Sequence, residues 1–241
     1  MVQVADGVFR LGSAYVGFYV LEEGGRLTVV DAGLPRYWDR LTTLLGDRGW
    51  SLEAVEAVLL THAHPDHTGL AERLRTAASA PVYVHPEDAA MARGTVKMPP
   101  PRVPIWRPAV LRTMLLGLRG GVLRVPPVTE VATLADGDTL DLPGAPRVIH
   151  APGHTAGSCA LLCAGRDVLF SGDVLATVDI LTGRPLPSIP PGFVNEDSEQ
   201  ALASLARLDG VSAGTLLPGH GDPWRGGVAE ALRIARDVGV R

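Results

Sequence analysis

Four side chains of the kind that bind metals stand within six positions in the run THAHPDHTGL: His62, His64, Asp66 and His67. They directly follow an apolar run, Glu56–Thr61, that reads as a strand. In extended chain, residues two apart point the same way, so His62 and His64 can grip one cation. Pro65 ends the extended run. Asp66 and His67 are adjacent and diverge at the entrance to the next helix, where they can reach a second cation. A buried cluster of imidazoles and a carboxylate is costly without compensation, and an exposed one has no reason to be so dense. Three further candidates each end an apolar run: His154 in APGHTAGS, Asp173 in SGD and His220 in PGHGD. Pro-Gly before each of these histidines predicts a fixed turn that presents the ring. The donor set suits zinc, with iron and manganese as alternatives.

These residues need strand ends to hold them. Strands are expected at Gln3–Leu11, Val16–Glu22, Leu27–Asp31, Glu56–Thr61, Pro81–His85, Arg147–His150, Ser158–Cys163, Asp167–Ser171 and Thr215–Leu217. Helical spacing covers Trp38–Leu45, Leu70–Ala77, Ser198–Leu208 with Ser198 as its cap, and Val228–Val238. Strands alternating with helices argue an α/β fold. Residues 94–127 differ, being dense in proline (Pro99–Pro101, Pro104, Pro108) around an apolar helix at Ala109–Leu118. This insertion reads either as a lid or wall of a pocket, with Trp106, Met114 and Leu115 as lining residues, or as a surface excursion packed on the core. The chain as a whole reads as a single domain spanning 1–241, with this segment inserted in it.

Composition narrows the field. Of 241 residues 46% are hydrophobic and 20% charged, which excludes disorder. No apolar stretch is long enough to span a membrane, and MVQVADGVFR lacks the pattern of a secretory leader. Net charge is −4 and the basic residues read as scattered, which argues against a nucleic-acid partner and for a small-molecule substrate. Cys159 and Cys163, four apart in a strand, share a face, where a mutual disulfide is strained; they read as buried apolar residues of a cytoplasmic protein.

The ordered motifs resemble those of the metallo-β-lactamase superfamily: HxHxDH at His62–His67, the PGHT histidine His154, the SGD aspartate Asp173 and the PGHG histidine His220, with Asp31 of AspAlaGly matching an early aspartate. The resemblance runs from Leu27 to His220. It implies a four-layer αββα sandwich with two divalent metals between the sheets. It assigns His62, His64 and His154 to one metal, Asp66, His67 and His220 to the other, and Asp173 to both. It also implies that a hydroxide bound by the metals attacks a polarised carbonyl, with Asp66 orienting it and passing its proton to the leaving group. Asp31 is expected to hold the HxHxDH loop, and His85 and His150 to stand at the pocket rim or behind the ligands.

Departures from the family's branches select among its activities. Common zinc β-lactamases place cysteine at the position of Asp173 and arginine at that of His67. Another β-lactamase type lacks the bridging aspartate. Flavodiiron proteins place glutamate at His64. The extra histidine motif and arm of tRNA-processing members, and the basic helical extension of glyoxalase II, are not expected here. Acyl-homoserine lactonases carry a tyrosine just after the bridging aspartate, whereas no tyrosine follows Tyr83. What remains is a zinc hydrolase of esters, thioesters or lactones. The rival readings are an iron-dependent oxidoreductase resembling persulfide dioxygenases, and a β-lactam or phosphodiester hydrolase.

Overall fold

A computed structural model describes residues 2–13, 15–98 and 106–241. Seven strands form one sheet in sequence order: β1 (Val2–Ala5), β2 (Val8–Gly12), β3 (Gly17–Glu23), β4 (Arg26–Val30), β5 (Val55–Leu59), β6 (Val82–Val84) and β7 (Ala132–Thr133). The first four are antiparallel neighbours, and β4 through β7 pair in parallel. β8 (Arg147–His150), β9 (Cys159–Cys163), β10 (Val168–Gly172) and β13 (Thr215–Pro218) build the second sheet in the order β13-β10-β9-β8. A small hairpin joins β11 (Ala176–Val178) to β12 (Pro185–Ser188).

Alternating side chains divide the apolar residues among three layers. Val30, Leu59, Leu161, Phe170 and Leu217 meet between the sheets. Leu27, Val29 and Val58 face the opposite way, onto Leu41 and Leu44 of α1 (Trp38–Arg48) and Leu74 of α3 (Ala71–Ala77). Ala160, Leu169 and Leu216 pack outward on Leu205, just after α6 (Ser198–Ser204), and on Leu232 of α7 (Val228–Val238). Helix, sheet, sheet, helix is the resulting order. The period of two in the strands dictates it, because the central strands are apolar on both faces. Tyr19, buried between the sheets, donates from its hydroxyl to the Pro218 carbonyl at 2.7 Å and so ties β3 to β13.

Several elements depart from expectation. The strand expected over Gln3–Leu11 is two strands, because Asp6-Gly7 makes a tight hairpin with Gly7 at φ 61°. The helix cap is Asp197 rather than Ser198, its carboxylate accepting from Gln200 N–H at 2.9 Å. Leu205–Leu208 continues α6 as a tighter 3-10 turn. Cys159 and Cys163 lie on one face, free and buried between the sheets, and burial pushes the Cys163 thiol up to about 12. The short β7, β11 and β12 carry too few residues for alternation to reveal them.

Candidate active site

The ligand-type residues leave the carboxyl ends of β5, β8, β10 and β13. After β5 the chain runs through Thr61 and His62 to His64. Pro65 then opens α2 (Pro65–Thr68), which carries Asp66 and His67. His154 follows β8, Asp173 follows β10 and His220 follows β13. The turn before His154 requires glycine: Gly153 has φ 130°, and a Cβ there would stand 2.2 Å from the Ala201 nitrogen. Gly219 is required by proximity, since its Cβ would meet Asp173 Oδ1 at 2.4 Å.

Three groups of potential metal-holding atoms converge, each within 4.8 Å: His62, His64 and His154; His62, His67 and Asp173; Asp66, His67 and His220. The rings of the first group meet nearly at right angles, at 79° for each pair, with centroids 4.6–4.8 Å apart. Asp173 lies between the groups. Its Oδ2 is 3.4 Å from His154 Nε2 and 3.2 Å from His220 Nε2, and its Oδ1 is 3.5 Å from His67 Nε2. Asp66 Oδ2 is 3.4 Å from His220 Nε2.

Hydrogen bonds behind the rings fix their orientation. His67 Nδ1 donates to Asp31 Oδ2 at 2.9 Å, His154 Nδ1 to Asn195 Oδ1 at 2.9 Å, and His220 Nδ1 to the Tyr15 carbonyl at 2.5 Å. The Thr61 hydroxyl gives its proton to Asp31, so its oxygen accepts from His62 Nδ1 at 3.1 Å. With Nδ1 turned outward, the neutral rings of His62 and His154 present a bare Nε2 inward, and the Nε2 atoms of His67 and His220 face the carboxylates of Asp173 and Asp66. Among the described residues Nε2 of His62, His67 and His154 and Oδ1 of Asp173 are buried without a hydrogen-bond partner. Such orphaned polar atoms are costly unless a cation meets them, and imidazole with carboxylate is the donor set that zinc and iron accept. The residues fit a pair of divalent ions.

Burial holds His62, His64 and His154 below the usual imidazole range, His64 down to about 3. At His67 burial acts the same way, but Asp173, Asp31 and Asp66 outweigh it and push the ring up to about 9. His220 is raised likewise, against burial, by Asp173 and Asp66. Burial opposes ionisation of Asp66 and Asp173, yet His220 and His67 hold both well below the usual carboxylate range. These carboxylates demand positive charge beside them.

A cavity of about 330 Å³ stands over these groups, with His64, Asp66, His154, Asp173 and His220 in its lining. Its opposite wall is α5 (Pro108–Gly120), through Val110, Thr113, Met114 and Gly117, with Phe193 and Val194 beside it. Gly120 lets the helix seat closely, since a Cβ there would lie 2.1 Å from Leu34 Cδ1. Of the lining residues expected in the insertion, only Met114 is in place. Trp106 is 80% exposed and Leu115 is 46% exposed, and neither lines the cavity. The inward stripe falls at 110, 113, 114 and 117, a helical spacing that turns position 115 outward. Residues 99–105 of the insertion lie outside the described residues.

A family profile, Metallo-beta-lactamase superfamily, matches residues 15–220. The chain belongs to this superfamily. Probable metallo-hydrolase YflN of Bacillus subtilis (strain 168) is 27% identical over 233 residues, covering 93% of this chain and 87% of the relative. Acyl-coenzyme A thioesterase MBLAC2 of Homo sapiens is 31% identical over 252 residues, covering 96% and 84%. Among solved structures, TTHA1623 in a di-iron-bound form matches with a TM-score of 0.66 at 28% identity, over 94% of this chain and 97% of the other. Among the described residues no helix is long and apolar enough to cross a membrane.

Within this metallo-β-lactamase fold the residues that steady the ligands are harder to read from sequence than the ligands. Asp31 adopts φ 57°, a strained conformation for a residue with a side chain, and accepts from Thr61 N–H at 2.8 Å as well as from His67. Asp88 is the residue that sequence reasoning missed. Buried at the end of a 3-10 turn, it accepts from Ala63 N–H, Gly157 N–H and the Thr155 hydroxyl, each at 2.8 Å, and so joins the His62–His64 run to the His154 loop. Nothing in ProGluAsp at 86–88 marks it. Asn195 and Thr61 were equally unmarked. His85 and His150 stack with centroids 3.9 Å apart, and His150 Nε2 donates to the Ala156 carbonyl in the His154 loop; neither lines the cavity.

Proposed function

We propose that this chain is a dinuclear metal hydrolase of small acyl esters, thioesters or lactones. The observation that carries the reading is the cavity, whose base holds the converging histidines and aspartates and whose facing wall is apolar. His62, His64 and His154 would hold one ion, Asp66, His67 and His220 the other, and Asp173 lies where it can serve both. Divalent ions bound there supply Lewis acidity toward a carbonyl oxygen and make water acidic enough to ionise near neutral pH. We assign zinc to the site; the di-iron form of TTHA1623 makes iron the alternative to exclude.

The chain's own residues supply the rest. Asp66, held as carboxylate, can accept the proton of the attacking water and return it to the departing oxygen or sulfur. Tyr15, whose ring packs edge-on against His220 at 5.4 Å, is kept a neutral phenol by burial and by Asp66, so it offers a donor beside the site. Val110, Met114 and Phe193 exclude water and offer an acyl group an apolar seat. The activity that names the human relative MBLAC2, on an acyl thioester, supports this substrate class.

Elemental analysis of protein purified without chelator tests the reading together with a panel of chromogenic esters, acyl thioesters, lactones, phosphodiesters and cephalosporins. Two divalent ions per chain, with turnover concentrated in the acyl substrates, is the expected result. One iron per chain with thiol-dependent oxygen uptake, or activity confined to phosphodiesters or cephalosporins, refutes it.

A further inference from the structure

Of the 22 lysines and arginines, seven fall between Asp88 and Glu130, while all 26 aspartates and glutamates fall outside that stretch. The basic residues are therefore clustered rather than scattered, which corrects the expectation drawn from composition. Six of the seven are described: Arg93, Lys97, Arg107, Arg112, Arg119 and Arg124, all exposed. Among the described residues none of them pairs with a carboxylate; the ion pairs of the surface use other arginines.

The same segment carries the exposed apolar side chains. Val96, Trp106, Leu111, Leu115, Leu118 and Leu123 are exposed; outside it only Val2 and Val240 are comparable among the described residues. On α5, Leu111, Leu115 and Leu118 fall at i, i+4 and i+7 and form one outward stripe, about 10 Å of a helix about 20 Å long. Arg112 and Arg119, seven apart, flank that stripe. The inward stripe of the same helix covers the cavity. Leu118 and Leu123 belong to both settings, being exposed and lining the cavity. The mouth of the cavity thus opens onto the basic, apolar face.

We propose that this face docks on an anionic phospholipid bilayer, and that acyl substrate enters the cavity from it. Charge and apolarity together select this partner. Nucleic acid would engage the arginines but leave the leucines in water. A second copy docked face to face would cover the leucines but oppose one basic cluster with its like. A bilayer surface rich in anionic headgroups accepts both, leucines in the acyl boundary and arginines at the phosphates. Entry of substrate from the bilayer rests on the acyl-hydrolase reading above; docking does not.

Flotation of the full chain with vesicles tests the proposal, comparing phosphatidylcholine alone with a mixture containing phosphatidylglycerol. The chain is expected to float with the anionic vesicles, to stay behind with the neutral ones, and to lose binding as salt rises. R107Q/R119Q should weaken partitioning roughly 25-fold, about fivefold for each charge removed. L111S/L115S should weaken it about tenfold or more. None of these four residues lines the cavity, so metal content and turnover of a soluble short-chain ester should be unchanged in both variants. Failure to bind anionic vesicles, equal binding to both kinds, or a concentration-dependent dimer abolished by L111S/L115S overturns docking. Vesicle binding by a chain inert toward every acyl substrate leaves docking standing and removes the acyl-hydrolase reading instead.

Discussion

Removing the Asp88 carboxylate should loosen two ligand loops at once. The side chain is 1% exposed and accepts three hydrogen bonds of 2.8 Å, two of them from backbone N–H groups that have no water to turn to. Hydrogen bonds to a charged acceptor contribute roughly 1.5–3 kcal/mol each. In Asp88→Ala all three are lost, but water entering the vacated space restores part of them, so we expect a loss of about 4 kcal/mol rather than the full sum. Asp88→Asn keeps one acceptor oxygen, and its amide can donate to Thr155 Oγ1; the expected loss is about 2 kcal/mol, from one backbone bond. Urea unfolding of chelator-treated protein measures both. Because Ala63 lies between His62 and His64, and Thr155 follows His154, metal affinity measured against a chromophoric chelator should fall roughly 10–100-fold, as for other residues that orient ligands. If Asp88→Ala stays within about 1 kcal/mol of the parent and within about threefold in metal affinity, the bridge has no such role and the reasoning fails.

Asp173→Ala should reduce bound metal to one ion or fewer and lower kcat/KM by more than about 100-fold, since the side chain lies within 3.5 Å of imidazoles from both groups; elemental analysis with steady-state kinetics decides it. Met114→Ala should enlarge the apolar wall, shifting KM in favour of bulkier acyl groups at unchanged metal content, whereas a pure packing role would lower stability by roughly 2–5 kcal/mol and leave preference alone. Metal-free protein should be most stable near pH 6.5. Below that, His62, His64 and His154 bind fewer protons folded than unfolded, so stability falls from 6.5 toward the His64 value of about 3. Above it, the contribution of His67 is lost as pH rises through about 9, and His220 acts in the same direction. Urea midpoints that stay flat from pH 5 to 9 would contradict both flanks.

The layered fold was legible because most strands carry their own pattern. Arg147–His150 and Val228–Val238 stand where apolar spacing puts them. The ligand-type residues were legible because the density at His62–His67 and the repeated Pro-Gly-His turns suit metal binding and little else. Asp88 was not legible, since its importance comes from loops at Ala63 and Gly157 that only the tertiary fold brings to it. The wall was legible in place but not in phase. Met114 and Leu115 are neighbours in sequence and about 100° apart around the helix, so composition could find α5 but could not orient it.

The tie between Tyr19 and Pro218, 199 residues apart, has a consequence for how the chain is made. His62, His64, Asp66 and His67 leave the ribosome with the first sheet, well before His154, Asp173 and His220 arrive with the second. Until then the first sheet exposes the face that carries Val30 and Leu59, and no complete set of ligands exists. Closing so long a loop is slow, and the unpaired sheet is open to aggregation meanwhile. Metal can act only after closure, as a latch. Its supply should govern how long the two halves stay together and hardly at all how fast they meet.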